Sequence, residues 1–185
     1  PTIDDDGFVL WVSSAILQYL CDSYGGKQLL PREGQQRALM LQWLGWEAST
    51  LTPSLMTYFL ASSHADSIES AVAEARSRML ANLELLNRQL MSQDYVAGDY
   101  SIADIALGCN VVAAFMLQLD LSGYSGLLAW LERLRLRTAW QEPLFLRDIG
   151  MGVAQGQLVN HAHVRRFSFD VTGTCDHVDN CGLMK

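Results

Sequence analysis

Ser13 and Ser14 follow the strand-prone stretch Phe8-Val9-Leu10-Trp11 and precede Ile16, Leu17, Tyr19 and Leu20 at helical spacing, so one of them opens a helix. The first amides of a helix have no acceptor within it and carry a partial positive charge, which suits a carboxylate or a phosphate. A serine hydroxyl there can add a bond to such an anion or can simply cap the helix, and the two uses are compatible. Tyr19, Tyr24, Cys21 and Cys109 bear reactive groups, but each falls on a helical face where packing is the simpler use, and no catalytic residue is assigned. Trp43, Trp46 and Thr50 recur at spacings of three and four, forming either an aromatic wall for an apolar ligand or a packing stripe between helices. Ser101 and Asp104, three residues apart, have the form of a capping box stapled by Tyr100 and Ile105, which makes Asp104 a structural carboxylate rather than a general base. Cys175, His177 and Cys181, with His161 and His163 before them, lack the paired short spacings of a zinc site, so no metal is expected. Cys175 and Cys181 could pair as a disulfide in an oxidising environment.

The elements that must position these groups are mostly helices. Asp5-Asp6-Gly7 between Thr2-Ile3 and Phe8–Trp11 reads as a short β-hairpin. Two strands are not stable alone, so the hairpin predicts neighbouring strands ahead of it and a chain truncated at its front. The helix begun at Ser13 or Ser14 closes at Gly25-Gly26. Lys27 to Gly34, with Pro31, reads as a linker. Gln35 to about Leu60 is helical, with Pro53 kinking or ending its first part. Asp66 and Glu69 open a long helix whose stripe is Val72, Ala75, Met79, Leu83, Leu86 and Leu90. Ile102 to about Leu119 is apolar nearly all round, as befits a central buried helix, and Leu127 to about Arg137 is the last clear helix. The pattern fades beyond Pro143, and Val164 to Lys185 has no useful period. The fold class is therefore mainly α. Residues 1–26 read as a hairpin and a helix, 27–34 as a linker, 35–160 as an all-α domain and 161–185 as an irregular tail.

A formal charge of −7 disfavours a nucleic acid partner, because phosphate binding draws on clustered Lys and Arg. Charges interrupt every apolar stretch before it reaches the roughly 18 residues of a membrane span. The start, Pro1-Thr2-Ile3-Asp4, lacks the basic and apolar regions of a signal peptide, so the cytoplasm is the expected compartment. Cys21 and Cys109 then read as small buried hydrophobes.

Pro1-Thr2-Ile3 with Asp6-Gly7-Phe8-Val9-Leu10-Trp11-Val12-Ser13-Ser14-Ala15-Ile16 resembles a stretch typical of glutathione transferases. Gln42-Trp43-Leu44-Gly45-Trp46-Glu47 with Leu51-Thr52-Pro53 resembles the first helix of the bacterial enzymes' second domain, and Ser101-Ile102-Ala103-Asp104-Ile105 that domain's capping-box segment. The resemblance runs in the family's order from Pro1 to about Pro143. It implies a remnant of a thioredoxin-like domain followed by the all-α domain, assembled as a homodimer that binds glutathione and a small apolar electrophile. The implied reaction is conjugation of glutathione, or a related thiol reaction, and the thiol-activating Tyr, Ser or Cys is implied to precede Pro1. Ser13 occupies the family's γ-glutamyl-binding position. Val12 stands where the family usually has Glu or Gln and offers its backbone alone. The helix bearing Trp43, Trp46 and Thr50 is implied to line the hydrophobic-substrate pocket. Rival readings are a non-catalytic interaction module and a scaffold that holds apolar ligands between helices.

Overall fold

The computed structural model describes residues 1–63, 68–141, 151–154 and 157–160. Strands β1 (Thr2–Asp5) and β2 (Phe8–Trp11) form the expected antiparallel hairpin, with Thr2 opposite Trp11 and Asp5 opposite Phe8. Asp6 and Gly7 both take positive φ, 51° and 88°, and the Asp4 carboxylate accepts from the Gly7 amide at 2.8 Å. These are the residue types a tight turn of that hand tolerates. Helix α1 (Ser13–Ser23) follows after a single intervening residue, Val12. Its buried side chains are Ile16 and Cys21, and it packs on the central helix α5 (Ile102–Met116).

A 3₁₀ turn (Lys27–Leu29) leads to α2 (Gly34–Trp46), whose N-cap Glu33 accepts from the amides of Gln35 and Gln36. Between α2 and α3 (Thr52–Ser63) lies a π turn, Glu47–Leu51. The interruption expected near Pro53 is therefore present, but the wide turn makes it. Pro53 itself is the second residue of α3, directly after that turn. Helix α4 (Glu69–Leu90) buries Ala75, Met79, Leu83, Leu86 and Leu90, the stripe expected of it except for Val72, which is half-buried. Ile68 holds its cap position, and Asp66, expected to share in a capping box, lies outside the described residues.

Helix α5 is buried over most of its circumference, from Ile102 through Leu107 and Val111 to Ala114. Cys109 is the exception to the expected burial, since its side chain is exposed. Among the described residues nothing covers the helix face carrying Cys109 and Met116, whereas Cys21 is buried as expected. Helix α6 (Ser125–Arg135) buries Leu127, Trp130, Leu131 and Leu134, and short α7 (Thr138–Gln141) lays Trp140 on the core. An unexpected hairpin, β3 (Met151–Ala154) with β4 (Gln157–Asn160), departs from the all-helical reading of residues 35–160. The strand-prone Val153 and Val159 stand in segments too short for helical periodicity to decide. The tail with Cys175, His177, Cys181, His161 and His163 lies outside the described residues.

Candidate functional site

Val12 is the whole joint between β2 and α1. Its φ of 77° and ψ of 115° put a β-branched side chain in a region where such residues are rare, at a cost of about 1–3 kcal/mol. Its carbonyl accepts from the Ile16 amide at 3.0 Å, so Val12 holds the cap position and Ser13 is already inside the helix. This corrects the expectation that Ser13 or Ser14 caps α1. Among the described residues no side chain does so, because the cap position falls on a residue without a polar side chain. The exposed Ser13 hydroxyl and the first-turn amides of Ser13, Ser14 and Ala15 have no hydrogen-bond partner among the described residues. Val12→Gly is expected to raise stability by about 1 kcal/mol, strain relief exceeding the entropy of the added glycine, as urea denaturation would register.

The hairpin is pinned back onto α1 by a clamp that the pattern of apolar residues did not reveal. The Asp5 carboxylate accepts from Tyr19 at 2.5 Å and from Tyr24 at 2.6 Å, and the Phe8 ring lies 5.2 Å from that of Tyr19. Tyr19 and Tyr24 therefore do more than pack. Hydrogen bonds from Tyr19 and then Tyr24 hold the Asp5 carboxyl below its usual range, and the same bonds push both phenols above theirs. The native state thus releases the Asp5 proton more readily than the unfolded chain does and keeps the phenolic protons longer. The clamp is complete above the ordinary carboxylate range and is lost as pH falls through the lowered Asp5 value. It is lost again as pH rises through the raised tyrosine values. A phenolate absorbance titration is expected to show four tyrosines ionising later than in the urea-unfolded protein, Tyr19 and Tyr24 through the clamp and Tyr100 and Tyr124 chiefly through burial.

The structure brings Trp43 and Trp46 into edge-to-face contact, with centroids 5.3 Å apart at 83°. Trp43 is buried and Trp46 half-buried. Trp43 also borders a shallow depression of about 510 Å³ with Ala81, Glu84, Leu85, Arg88 and Gln89 of α4. Thr50 lies in the π turn, half-buried, its hydroxyl 3.3 Å from that of Ser49. The same turn holds a buried carboxylate that sequence reasoning missed. Glu47 Oε1 accepts from Thr52 at 2.5 Å and from Asn110 Nδ2 at 2.8 Å, and the Thr52 hydroxyl lies 3.0 Å from Asn110 Oδ1. Asn110 interrupts a run that is otherwise apolar from Ile105 to Met116, and Glu47 follows Trp46. A polar residue on each of two facing apolar helices was the available signal, since buried polar groups need partners.

Ser101 and Asp104 close the expected capping box at the start of α5. The buried Asp104 carboxylate accepts from the Ser101 amide at 3.0 Å and hydroxyl at 3.2 Å. It also accepts from the Val96 amide at 3.1 Å and from Trp130 Nε1 at 2.9 Å. All of its near neighbours are donors, and nothing about it suits proton transfer to a ligand. Among the described residues no group of His, Cys, Asp and Glu is arranged to hold a metal ion, and no helix is long and apolar enough to cross a membrane.

Residues 69–133 match the family model described as glutathione S-transferase, C-terminal domain. Over 161 residues the chain is 32% identical to glutathione S-transferase D7 of Drosophila melanogaster, a span of 80% of this chain and 71% of that protein. The chain belongs to the glutathione S-transferase family. Among solved structures it is similar to BphK, a bacterial GST, with TM-score 0.68 and 33% identity over 80% of this chain and 72% of that one. It is likewise similar to the theta class glutathione S-transferase of Xanthomonas axonopodis pv. citri with glutathione bound, with TM-score 0.70 and 31% identity over 76% of this chain and 70% of that one. A hairpin and helix followed by a helical bundle is thus the transferase architecture that the sequence resemblance implied.

Proposed function

We propose that this chain binds glutathione at the start of α1 and belongs to a transferase that joins the glutathione sulfur to an electrophilic carbon. The observation that carries the reading is the first turn of α1, where three amides and the Ser13 hydroxyl stand without partners in a chain of this family. Those donors suit the γ-glutamyl carboxylate, and Val12 contributes only its backbone. In the reaction the thiolate sulfur forms a bond to carbon, the leaving group departs with its electron pair, and the thiol proton passes to solvent. Lowering the thiol pKa makes the thiolate available. We assign that activation to no residue of this chain.

Trp43, Trp46 and Thr50 are the proposed apolar wall for the electrophile, and a homodimer is the proposed assembly. Cys21 and Cys109, both unpaired, suit a cytoplasmic protein. The proposed division is a thioredoxin-like remnant at 1–26, a linker at 27–34, a mainly helical domain at 35–160 that includes the β3–β4 hairpin, and a tail at 161–185. Calorimetric titration with reduced glutathione tests the binding. Saturation in the micromolar to low-millimolar range is expected, and Ser13→Ala should weaken it about tenfold through loss of one charge-assisted bond. No heat at several millimolar glutathione from a folded protein would overturn the reading. Val12, which lacks the polar side chain usual there, favours as second reading a scaffold for apolar ligands. Displacement of an apolar dye without glutathione binding would support it.

A further inference from the structure

Because Val12 is the only residue between β2 and α1, its two dihedral angles alone set the direction of the hairpin relative to the helix. Any contact that fixes that direction also fixes Val12, and an unfavourable φ persists only where the surroundings over-determine it. The contacts that do so are few and lie away from Ser13. Asp5, on the first strand, takes the hydroxyls of Tyr19 in the middle of α1 and of Tyr24 at its C-cap, and Phe8 lies beside Tyr19. Among the described residues Phe8, Val9 and Trp11 of the hairpin are exposed and Ile3 and Leu10 half-buried.

We infer that Asp5 is a positioning residue for glutathione, its carboxylate acting through Tyr19 and Tyr24 to hold the Val12 joint in the conformation that presents the Ser13 turn to the ligand. The inference rests on the reading of that turn as the glutathione carboxylate site. Asp5 itself touches no ligand in this account. Its side chain spans from strand to helix, and the strained joint is the hinge it keeps closed. When the clamp is lost, Val12 relaxes to an ordinary φ, its carbonyl leaves the Ile16 amide and the donors of the first turn diverge.

The test compares the parent chain with Asp5→Asn, Ser13→Ala and the double variant, and adds a Tyr19→Phe, Tyr24→Phe pair as a second way to open the clamp. Reduced glutathione is the probe. Asp5→Asn is expected to weaken binding about tenfold, as one lost charged contact would. The double variant should be only slightly weaker than either single one, because both changes disable the same turn. Hydrogen exchange at the Ile16 amide, which reports its bond to the Val12 carbonyl, should accelerate about tenfold in Asp5→Asn and in the tyrosine pair, while the thermal midpoint moves by no more than about 2 °C. Effects of Asp5→Asn and Ser13→Ala that multiply to about a hundredfold would overturn the inference, as would a large fall in midpoint. If the parent does not bind glutathione, the proposed function fails, and the exchange measurement still decides the clamp. Unchanged Ile16 protection in the variants would overturn it.

Discussion

Asp104→Ala is expected to lose about 4 kcal/mol of stability, with a midpoint about 10 °C lower, measured by urea and thermal denaturation. The Asp104 carboxylate takes four hydrogen bonds, from the Val96 amide, the Ser101 amide and hydroxyl and the Trp130 indole, and its side chain is wholly buried. Alanine would leave those donors without acceptors in a site closed to water, each orphan costing about 1–3 kcal/mol before relaxation. Asp104→Asn should lose less, since one amide oxygen can keep two of the donors. Burial pushes the Asp104 carboxyl above its usual value, against the pull of its donors. The native state thus keeps that proton longer than the unfolded chain, and the group's contribution falls as pH rises through the raised value. Acid unfolding should accordingly be driven by other carboxylates. A loss below about 1 kcal/mol in Asp104→Ala would show that the donors find new partners.

Gly126→Ala is expected to cost about 3 kcal/mol although it adds a single methyl group. A β-carbon there would lie 2.9 Å from the Asn87 carbonyl oxygen, 2.9 Å from the Met91 nitrogen and 3.0 Å from the Leu90 carbonyl carbon. All three are backbone atoms of α4 or its end, which cannot swing aside as a side chain could. Helix α6 would have to move away and would lose its cap, because Asn87 Oδ1 accepts from the amides of Gly126 at 3.0 Å and Leu127 at 3.1 Å. Asn87→Ala in the Gly126→Ala background should then cost little more, and additive losses in denaturation would show that cap and close approach are independent.

These two sites show what a linear reading can reach. The Ser101–Asp104 box was legible because its partners are three residues apart and their types are those that helix starts require. The stripe of α4 was legible for a similar local reason. The Trp130 bond to Asp104 spans 26 residues and the Asn87 cap 39, and neither leaves a mark within its own window. Both serine-cap alternatives at α1 failed because the cap lies one residue before Ser13 and two before Ser14, a shift that propensity does not resolve. Tyr19 and Tyr24 are set by their bond to a strand, which periodicity along a helix cannot register. Ser13 was legible as a donor at a helix start, whereas the geometry of Val12 was not, since nothing in valine's preferences leads to a positive φ.

The π turn at Glu47–Leu51 has the shape of one extra residue lodged in what would otherwise be a continuous helix. An added residue turns everything beyond it by about 100° relative to everything before it. Helices α2 and α3 are therefore out of phase, α2 burying Met40, Trp43 and Leu44 and α3 burying Leu55 and Tyr58 on a separately set face. The bulge can neither be deleted nor allowed to drift along the helix without rotating one of those faces out of the core. A lineage that acquired such an insertion could keep both faces only by holding the bulge in place. The buried Glu47, bonded to Thr52 and Asn110, is the peg that does so.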